Sequence, residues 1–281
     1  EWIGIVNLDL SGAIVTPYRD DEEWGIPVSR KHLGRARDGD VVVLRPARRA
    51  PRGRVAGEVT EVLGRPGEPE PDFRAVVWHR RLPVEFPKEV TAEAEAIAVP
   101  EPEALLRDRE DLRALPFVTI DPASARDHDD AVVVEERSGG FRLHVAIADV
   151  SCFVREGSAL DREALRRGNS VYFPDRAIPM LPERLSGDLC SLRPDEERLA
   201  LVARLDVGAD GRVGGCHLSR ALIRSHARLD YGQAARVMEA APGAESVLPD
   251  AALAAPLRLL AACAEALRRQ RVAAGSIDFE L

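Results

Sequence analysis

Two short apolar runs that enclose an aspartate-rich loop constrain this chain more than any other stretch. The runs are Phe117–Ile120 and Ala131–Val134, and their β-branched composition predicts two buried strands. Pro122 ends the first strand, because proline has no backbone N–H to give to a sheet. We therefore predict that the loop between the strands carries the chemistry of the chain.

Four aspartates belong to this loop: Asp121, Asp127, Asp129 and Asp130. Two carboxylates about 4 Å apart repel by roughly 4 kcal/mol at an effective dielectric constant of about 20, so such a group is costly without a cation. A set of carboxylates without thiols suits Mg²⁺ or Mn²⁺. The alternative is an acidic turn whose side chains cap backbone amides and face solvent. The two flanking apolar strands favour the metal site.

The loop sequence D-P-A-S-A-R-D-H-D-D-A resembles the catalytic signature of the ribonuclease R and ribonuclease II family of exoribonucleases. That signature is an Asp-Pro opening followed by Asp-x-Asp-Asp-Ala. Further matching segments follow in the same order, at His144–Ser151, Val171–Pro182 and Leu185–Leu192. The resemblance covers about residues 110–281 and implies the N-terminal part of a mixed α/β RNB catalytic domain.

The first 64 residues predict a small β-barrel. Five short strand candidates are separated by turn residues, as in an oligonucleotide-binding (OB) fold: Ile3–Val6, Gly12–Val15, Gly25–Val28, Asp40–Leu44 and Val55–Val59. The segment Arg37–Leu44 resembles the cold-shock domains of this family, but Ser11–Val15 lacks the aromatics usual on the second strand. Base-stacking would fall to Trp2, Tyr18 and Trp24; the alternative is a packing module that only positions the catalytic domain.

We therefore predict an α+β chain of three parts. Residues 1–64 form the OB/cold-shock-like barrel, residues 65–109 a linker and the remnant of a second barrel, and residues 110–281 the RNB domain. Gly64–Pro71 predicts a linker because it is rich in proline and glycine. Arg74–Trp78 predicts a strand, and Thr91–Ile97 a helical run.

Within residues 110–281, Phe141–Val150 predicts a second core strand, paired with Ala131–Val134 through a glycine turn. Asp149 at its end is a secondary metal candidate, and a strand-end cap is the alternative. We expect His144 in the core. Ser158 predicts the start of a helix that ends at Gly168. The Ala/Leu-rich stretch Ala251–Arg271 predicts a second helix, interrupted early by Pro256, with a structural rather than a catalytic role.

The resemblance implies three aromatic contacts to RNA. Tyr172 lies in a proline-punctuated segment, Val171–Pro182, which predicts an ordered loop. It corresponds to a family tyrosine that stacks near the 3′ end; core packing is the alternative. Tyr231 follows a predicted capping box at Asp230 and corresponds to a tyrosine of the catalytic cavity. Phe279 corresponds to a phenylalanine against the terminal base.

The net charge of −8 argues against an RNA partner, because affinity for the phosphate backbone depends on Lys and Arg. The distribution matters more, since a metal would offset the aspartates and one stretch is basic: Arg45, Arg48, Arg49, Arg52 and Arg54. The alternative for that stretch is a solvated loop.

The sequence contains no uncharged apolar run of about 18 residues, so it predicts no membrane span. Four scattered cysteines argue against zinc and disulfides.

By resemblance, we expect a Mg²⁺-dependent 3′-to-5′ exoribonuclease that degrades single-stranded RNA to nucleoside 5′-monophosphates. The scattered cysteines favour the cytoplasm, and we expect a monomer. Asp121 and Asp130 are the predicted direct metal ligands, and Asp127 is a ligand directly or through water. Asp129 positions the attacking water or the metal that activates it, and the site takes one ion or a pair. The alternatives are an RNA-binding or regulatory protein that has lost catalysis, and an acidic cation-binding structural domain.

The sequence also predicts a segment of a longer polypeptide, since it lacks an initiating Met and a closing element. Family members take a phosphate-binding arginine and an RNA-binding barrel from regions that do not align within these 281 residues. We therefore expect the segment alone to be weak or inactive.

Overall fold

The computed structural model describes residues 2–10, 12–18, 24–47, 55–99 and 106–277. The chain packs as two units, Glu1–Phe86 with Asn169–Ile178, and Pro87–Gly168 with Pro179–Leu281. The predicted division into three parts stays a prediction.

The described residues form thirteen β-strands and five α-helices. The strands are β1 (Trp2–Leu8), β2 (Gly12–Pro17), β3 (Ile26–Ser29), β4 (Val41–Pro46), β5 (Gly57–Gly64), β6 (Glu110–Asp111), β7 (Phe117–Asp121), β8 (Asp130–Arg137), β9 (Gly140–Ala148), β10 (Val171–Tyr172), β11 (Ala177–Ile178), β12 (Glu197–Gly208) and β13 (Val213–Asp230). The helices are α1 (Pro69–Arg80), α2 (Lys88–Glu95), α3 (Ala159–Arg167), α4 (Tyr231–Met238) and α5 (Ala254–Ala273).

The first unit contains the predicted five-stranded OB-like sheet, which is confirmed. Its strands pair in the order β3-β2-β1-β4-β5, all antiparallel, and the sheet curls so that the edge strands β3 and β5 approach each other. Gly57 allows this approach, since a Cβ there would lie 2.9 Å from the side chain of Ile26. Val6, Val15 and Leu44 are fully buried within the curl.

The region Arg74–Trp78 is helical, so the predicted strand is wrong. It belongs to α1, which begins at Pro69, and proline at the first helical position has a preset φ and no N–H to lose. Glu70 and Asp72 lie in the first turn, where the helix dipole favours acids. Ala75 is fully buried against the sheet, so tertiary packing selects the helix. The predicted linker correspondingly ends before Pro69.

The three aromatic residues considered for base stacking in this unit are half-buried. Trp2 and Trp24 pack against the core inside the curled sheet. The Tyr18 hydroxyl donates to Asp72 at 2.5 Å and accepts from the backbone N–H of Gly67 at 3.0 Å, which ties the sheet to the start of α1. The structure therefore shows a packing role for all three rings.

The second unit is built on one mixed sheet in the order β12-β9-β8-β7-β13-β6. The long strand β13 pairs antiparallel with β12 along its first part and parallel with β7 along its last part. Because β12 is also at one edge of the sheet, its pairing with β13 closes the sheet on itself. The predicted pairing of β8 with β9 is confirmed, with Val132 opposite Val145. The turn between them contains Gly139 at φ 82°, a conformation that favours glycine.

Helices α4 and α5 cover part of this sheet, and their apolar residues share one core with Val118 and Leu229. The predicted helix after Ser158 is confirmed, because the Ser158 side chain accepts from the N–H of Asp161. The predicted interruption at Pro256 is wrong, because helix α5 runs through this residue. It lies in the first turn of α5, where a missing N–H costs no intrahelical bond.

The segment Val171–Pro182, predicted to be a loop, contains a short hairpin of β10 and β11. A π-helical turn, Arg184–Leu189, follows. His144 is buried, as predicted, and its Nε2 lies 2.9 Å from Glu135. Among the described residues, no helix combines the length and the apolar composition needed to cross a membrane.

Candidate active site

The candidate site lies where β7 ends and β8 begins. Asp121 is the last residue of β7 and Asp130 is the first residue of β8, while Asp127 and Asp129 lie in the connecting loop. The Asp121 side chain is only 13% exposed, Asp127 is half-buried, and Asp129 and Asp130 are exposed. The apolar runs therefore hold two of the four aspartates at adjacent strand ends.

The carboxylates of this site act on one another. Asp130 is exposed as a residue, but the hydration that its carboxylate loses in the fold raises its pKa above the usual value, and the negative charges of Asp129 and Asp121 raise it further. The structure thus places these three side chains within interacting range. Asp127 is not among the groups that shift Asp130. The catalytic and metal-binding roles of all four remain predictions.

A histidine that the sequence analysis passed over reaches into the site. His128 Nδ1 lies 2.7 Å from Asp121 Oδ2, and the His128 side chain is only 5% exposed. The sequence signal that could have identified His128 is its position between Asp127 and Asp129 in the motif D-H-D-D. We interpreted that motif by its carboxylates alone, and so missed the neighbour that contacts one of them.

The donor set fits a hard divalent cation. The negative charges of Asp129 and Asp121 are among the causes of the raised pKa of Asp130, and a bound cation would offset them. Within the described ranges, no three His, Cys, Asp or Glu side chains are arranged to hold a metal ion by themselves. Mg²⁺ in phosphoryl-transfer sites is commonly held by one or two carboxylates, with waters and substrate phosphates as the other ligands. Two of these aspartates would be enough.

Asp149 is engaged elsewhere, so its secondary candidacy as a metal ligand is wrong. Its buried carboxylate lies 2.7 Å from Arg109 and accepts hydrogen bonds from Ser151 at 2.6 Å and Cys152 at 3.0 Å. Burial alone would raise the pKa of Asp149, but the hydrogen bonds from Cys152, Ser151 and Arg109 outweigh it and lower the pKa. Asp149 therefore forms a buried structural ion pair.

Tyr231 lies close to the aspartates along the sheet. Asp230 is directly opposite Asp121 in the parallel pairing of β13 with β7, and Tyr231 is the next residue, the first of α4. The predicted capping box is confirmed, with Asp230 accepting from the N–H of Gln233 and Gln233 accepting from the N–H of Asp230. The Tyr231 side chain is 61% exposed, which leaves its ring open to a ligand.

Tyr172 belongs to the first unit and is 66% exposed on the β10–β11 hairpin. Helix α1 holds this hairpin through Phe73, whose ring meets Phe173 edge-on at a centroid distance of 4.9 Å. Arg176 lies 4.5 Å above the Phe73 ring and bonds to Glu70 at 2.8 Å. The neighbouring side chains thus fix the hairpin and leave Tyr172 exposed.

Two predictions fall largely outside the described residues. Phe279 lies beyond them, as do four members of the basic stretch, Arg48, Arg49, Arg52 and Arg54. Arg45 is described, and it pairs with Glu58 at 3.4 Å.

Fold and site together define an RNB-type protein with a cold-shock domain. The RNB domain matches residues 109–281, more than half of the sequence, and the chain therefore belongs to the RNB-domain family. The cold shock domain matches residues 14–87. The first finding confirms the resemblance carried by the aspartate motif, and the second confirms the cold-shock resemblance of the first part of the chain.

Similar proteins carry the name ribonuclease R. The chain is 40% identical to ribonuclease R of Aquifex aeolicus (strain VF5), over 95% of this chain and 38% of that protein. It is 43% identical to ribonuclease R of Vibrio cholerae serotype O1 (strain ATCC 39315 / El Tor Inaba N16961), over 87% of this chain and 30% of that protein. The structure of Mycoplasma genitalium RNase R in complex with double-stranded RNA matches with a TM-score of 0.81 and 26% identity, over 99% of this chain and 49% of that one. The chain thus spans less than half the length of each of these relatives.

Proposed function

We propose that this chain contains the metal-binding part of an exoribonuclease that hydrolyses single-stranded RNA from the 3′ end and releases nucleoside 5′-monophosphates. The observation that carries the proposal is the placement of Asp121 and Asp130 at adjacent strand ends, with Asp129 next to Asp130 in the loop and the charges of Asp121 and Asp129 both acting on Asp130. Membership of the RNB-domain family supports the choice of RNA as substrate.

In this proposal Asp121 and Asp130 hold a divalent ion, Mg²⁺ or Mn²⁺, and Asp127 contributes directly or through a water. When bound, the ion would lower the pKa of a coordinated water and stabilise charge on the scissile phosphate. Asp129 orients the attacking water from its exposed position beside Asp130. The strand ends keep these oxygens in place, so little reorganisation precedes the reaction.

Aromatic rings would hold the RNA strand. Tyr231 lies next to the aspartates and Tyr172 is exposed on its hairpin, and each could stack on a base for about 1–3 kcal/mol. Phe279 is proposed to contact the terminal base, on the sequence resemblance alone. The partner is single-stranded RNA, and a cytoplasmic monomer remains our expectation.

The proposal is tested with a 3′-tailed oligoribonucleotide labelled at its 5′ end. We expect a longer polypeptide that contains this chain, of the length of its relatives, to shorten it stepwise to mononucleotides in Mg²⁺, and to stop when EDTA is added. Binding without shortening would instead favour the alternative, an RNA-binding protein that has lost catalysis. Shortening that is unaffected by EDTA would contradict the metal site.

Asp129→Asn tests the role of a single carboxylate. Because Asp129 is proposed to act on the attacking water, we expect cleavage to be abolished while RNA affinity changes by less than about tenfold. Cleavage rates and filter binding of the same preparation measure the two effects. Asp210→Asn, at an exposed aspartate in the β12–β13 turn, is the control. Normal cleavage by Asp129→Asn would show that its assigned role is wrong.

A further inference from the structure

We infer that His128 is a positioning residue that fixes the orientation of the Asp121 carboxylate. This inference rests on the proposed function, because the orientation matters only if Asp121 binds a cation. It adds to the site a residue that touches neither the proposed ion nor the RNA and acts through Asp121.

The contact defines which ring nitrogen carries the proton. An ionised carboxylate can only accept, so at 2.7 Å from Asp121 Oδ2 the His128 Nδ1 must donate. Nε2 is buried without a hydrogen-bond partner in the described part of the chain. The ring therefore makes its one side-chain hydrogen bond through Nδ1, to Asp121.

The backbone of His128 is held from a distant part of the chain. Its N–H donates to the Ser191 hydroxyl at 3.3 Å, and its carbonyl accepts from the N–H of Leu192 at 2.6 Å. Ser191 and Leu192 are fully buried, directly after the π-helical turn Arg184–Leu189. They belong to the motif Leu185–Leu192, for which the proposed reaction gives no other role. The motif thus anchors the histidine, and the histidine anchors the carboxylate.

The neighbours of Asp121 explain why it needs such a partner. Its carboxylate acts on Asp130 as a like charge, and like charges repel each other, so a freely rotating Asp121 would swing away from its fellow ligand. The hydrogen bond occupies Oδ2 and leaves Oδ1 for a ligand. Partners that orient a metal ligand commonly contribute about 10–100-fold to metal affinity or activity.

Two substitutions separate positioning from simple packing. His128→Phe keeps an aromatic ring in the buried site but removes both nitrogens. His128→Asn loses ring volume but keeps an N–H donor close to the position of Nδ1. A packing role therefore predicts that Phe is tolerated and Asn is not, whereas a positioning role predicts the reverse.

The measurement is Mn²⁺ binding to the 281-residue chain, followed by electron paramagnetic resonance of the free ion. We expect His128→Phe to weaken binding about 10–100-fold, and His128→Asn to remain within about threefold of the unchanged chain. Thermal unfolding of each variant reports on the fold. In the longer polypeptide, His128→Phe is expected to lower kcat and leave KM for RNA unchanged.

The outcomes distinguish this inference from the proposed function. If the unchanged chain and His128→Phe bind Mn²⁺ equally, the inference is overturned and the proposed metal site stands. If the unchanged chain binds no Mn²⁺, both are overturned. A second measurement does not depend on any variant folding: the ¹H–¹⁵N spectrum of the His128 ring should show a proton on Nδ1, and a ring protonated at Nε2 alone would overturn the inference.

Discussion

At the scale of single residues, the negative charge of Asp130 lowers the folding stability of the metal-free chain. The raised pKa of Asp130 means that the folded chain binds this proton more tightly than the unfolded chain, where the usual value is 3.8. Stability therefore falls as the pH rises through this range, and the penalty is fully present at neutral pH. Below pH 3.8 both states become protonated and the penalty disappears.

Asp130→Asn is accordingly expected to stabilise the metal-free chain. Its Tm at pH 7 should rise by about 1–2 °C, the size of a favourable surface substitution in a chain of this length. At pH 3 the difference should vanish, because the aspartate is then neutral as well. Thermal unfolding followed by circular dichroism, with EDTA present, measures both. A lower Tm at pH 7 would show that the carboxylate is compensated in the fold.

At the scale of elements, a buried ion pair joins the segment before β6 to the end of β9. Arg109 and Asp149 are both almost completely buried and lie 40 positions apart in the sequence. Removing one partner of such a pair leaves the other charge buried and uncompensated. The pair therefore specifies how these two elements meet.

Arg109→Ala is expected to lower the free energy of unfolding by about 3–5 kcal/mol, since Asp149 would lose its compensating charge. Urea denaturation measures the change. Arg212→Ala is the matched control, because Arg212 forms a long, exposed pair with Asp210, and it should cost less than about 1 kcal/mol. Equal effects of the two substitutions would contradict the assignment.

The β10–β11 hairpin is held by a few side chains of α1, so its local stability should depend on them. Phe73→Ala removes the ring that contacts both Phe173 and Arg176. We expect trypsin to cleave after Arg176 about 2- to 10-fold faster, since an aromatic pair contributes about 0.5–1.5 kcal/mol. Leu165→Ala, at an exposed position of α3, is the control. An unchanged cleavage rate would show that other contacts hold the hairpin.

At the scale of the whole molecule, the chain spans 38% of its Aquifex relative and 30% of its Vibrio relative. The family resemblance implies that groups which hold the cleaved phosphate come from outside these 281 residues. Catalysis by this chain alone should therefore lack part of its transition-state stabilisation.

We expect the 281-residue chain to cleave RNA about 10²–10³-fold more slowly than the longer polypeptide, the usual cost of losing a transition-state donor. Single-turnover rates on the same 3′-tailed oligoribonucleotide, with saturating enzyme and Mg²⁺, compare the two. The Asp129→Asn form of each serves as the blank. Equal rates would mean that these residues contain the complete catalytic machinery.

The sequence by itself determined those features that local patterns encode. Continuous β-branched apolar runs identified the strands that flank the aspartate loop, and the Asp230 capping box marked the start of α4. The motif around Asp121 is specific enough to identify the family from sequence alone. Each of these features depends on residues close together in the chain, so a pattern is enough to reveal it.

Only the tertiary structure decided which distant groups meet. Taken by itself, the short apolar run Arg74–Trp78 is compatible with a strand or with a helix. The burial of Ala75 against a sheet selected the helix. The pairing of Arg109 with Asp149, and of His128 with Ser191 63 positions later, depends on strand register and chain crossing. Local periodicity records which side of an element is buried, but it carries no information about the partner that a charge or a hydrogen-bonding group will find there.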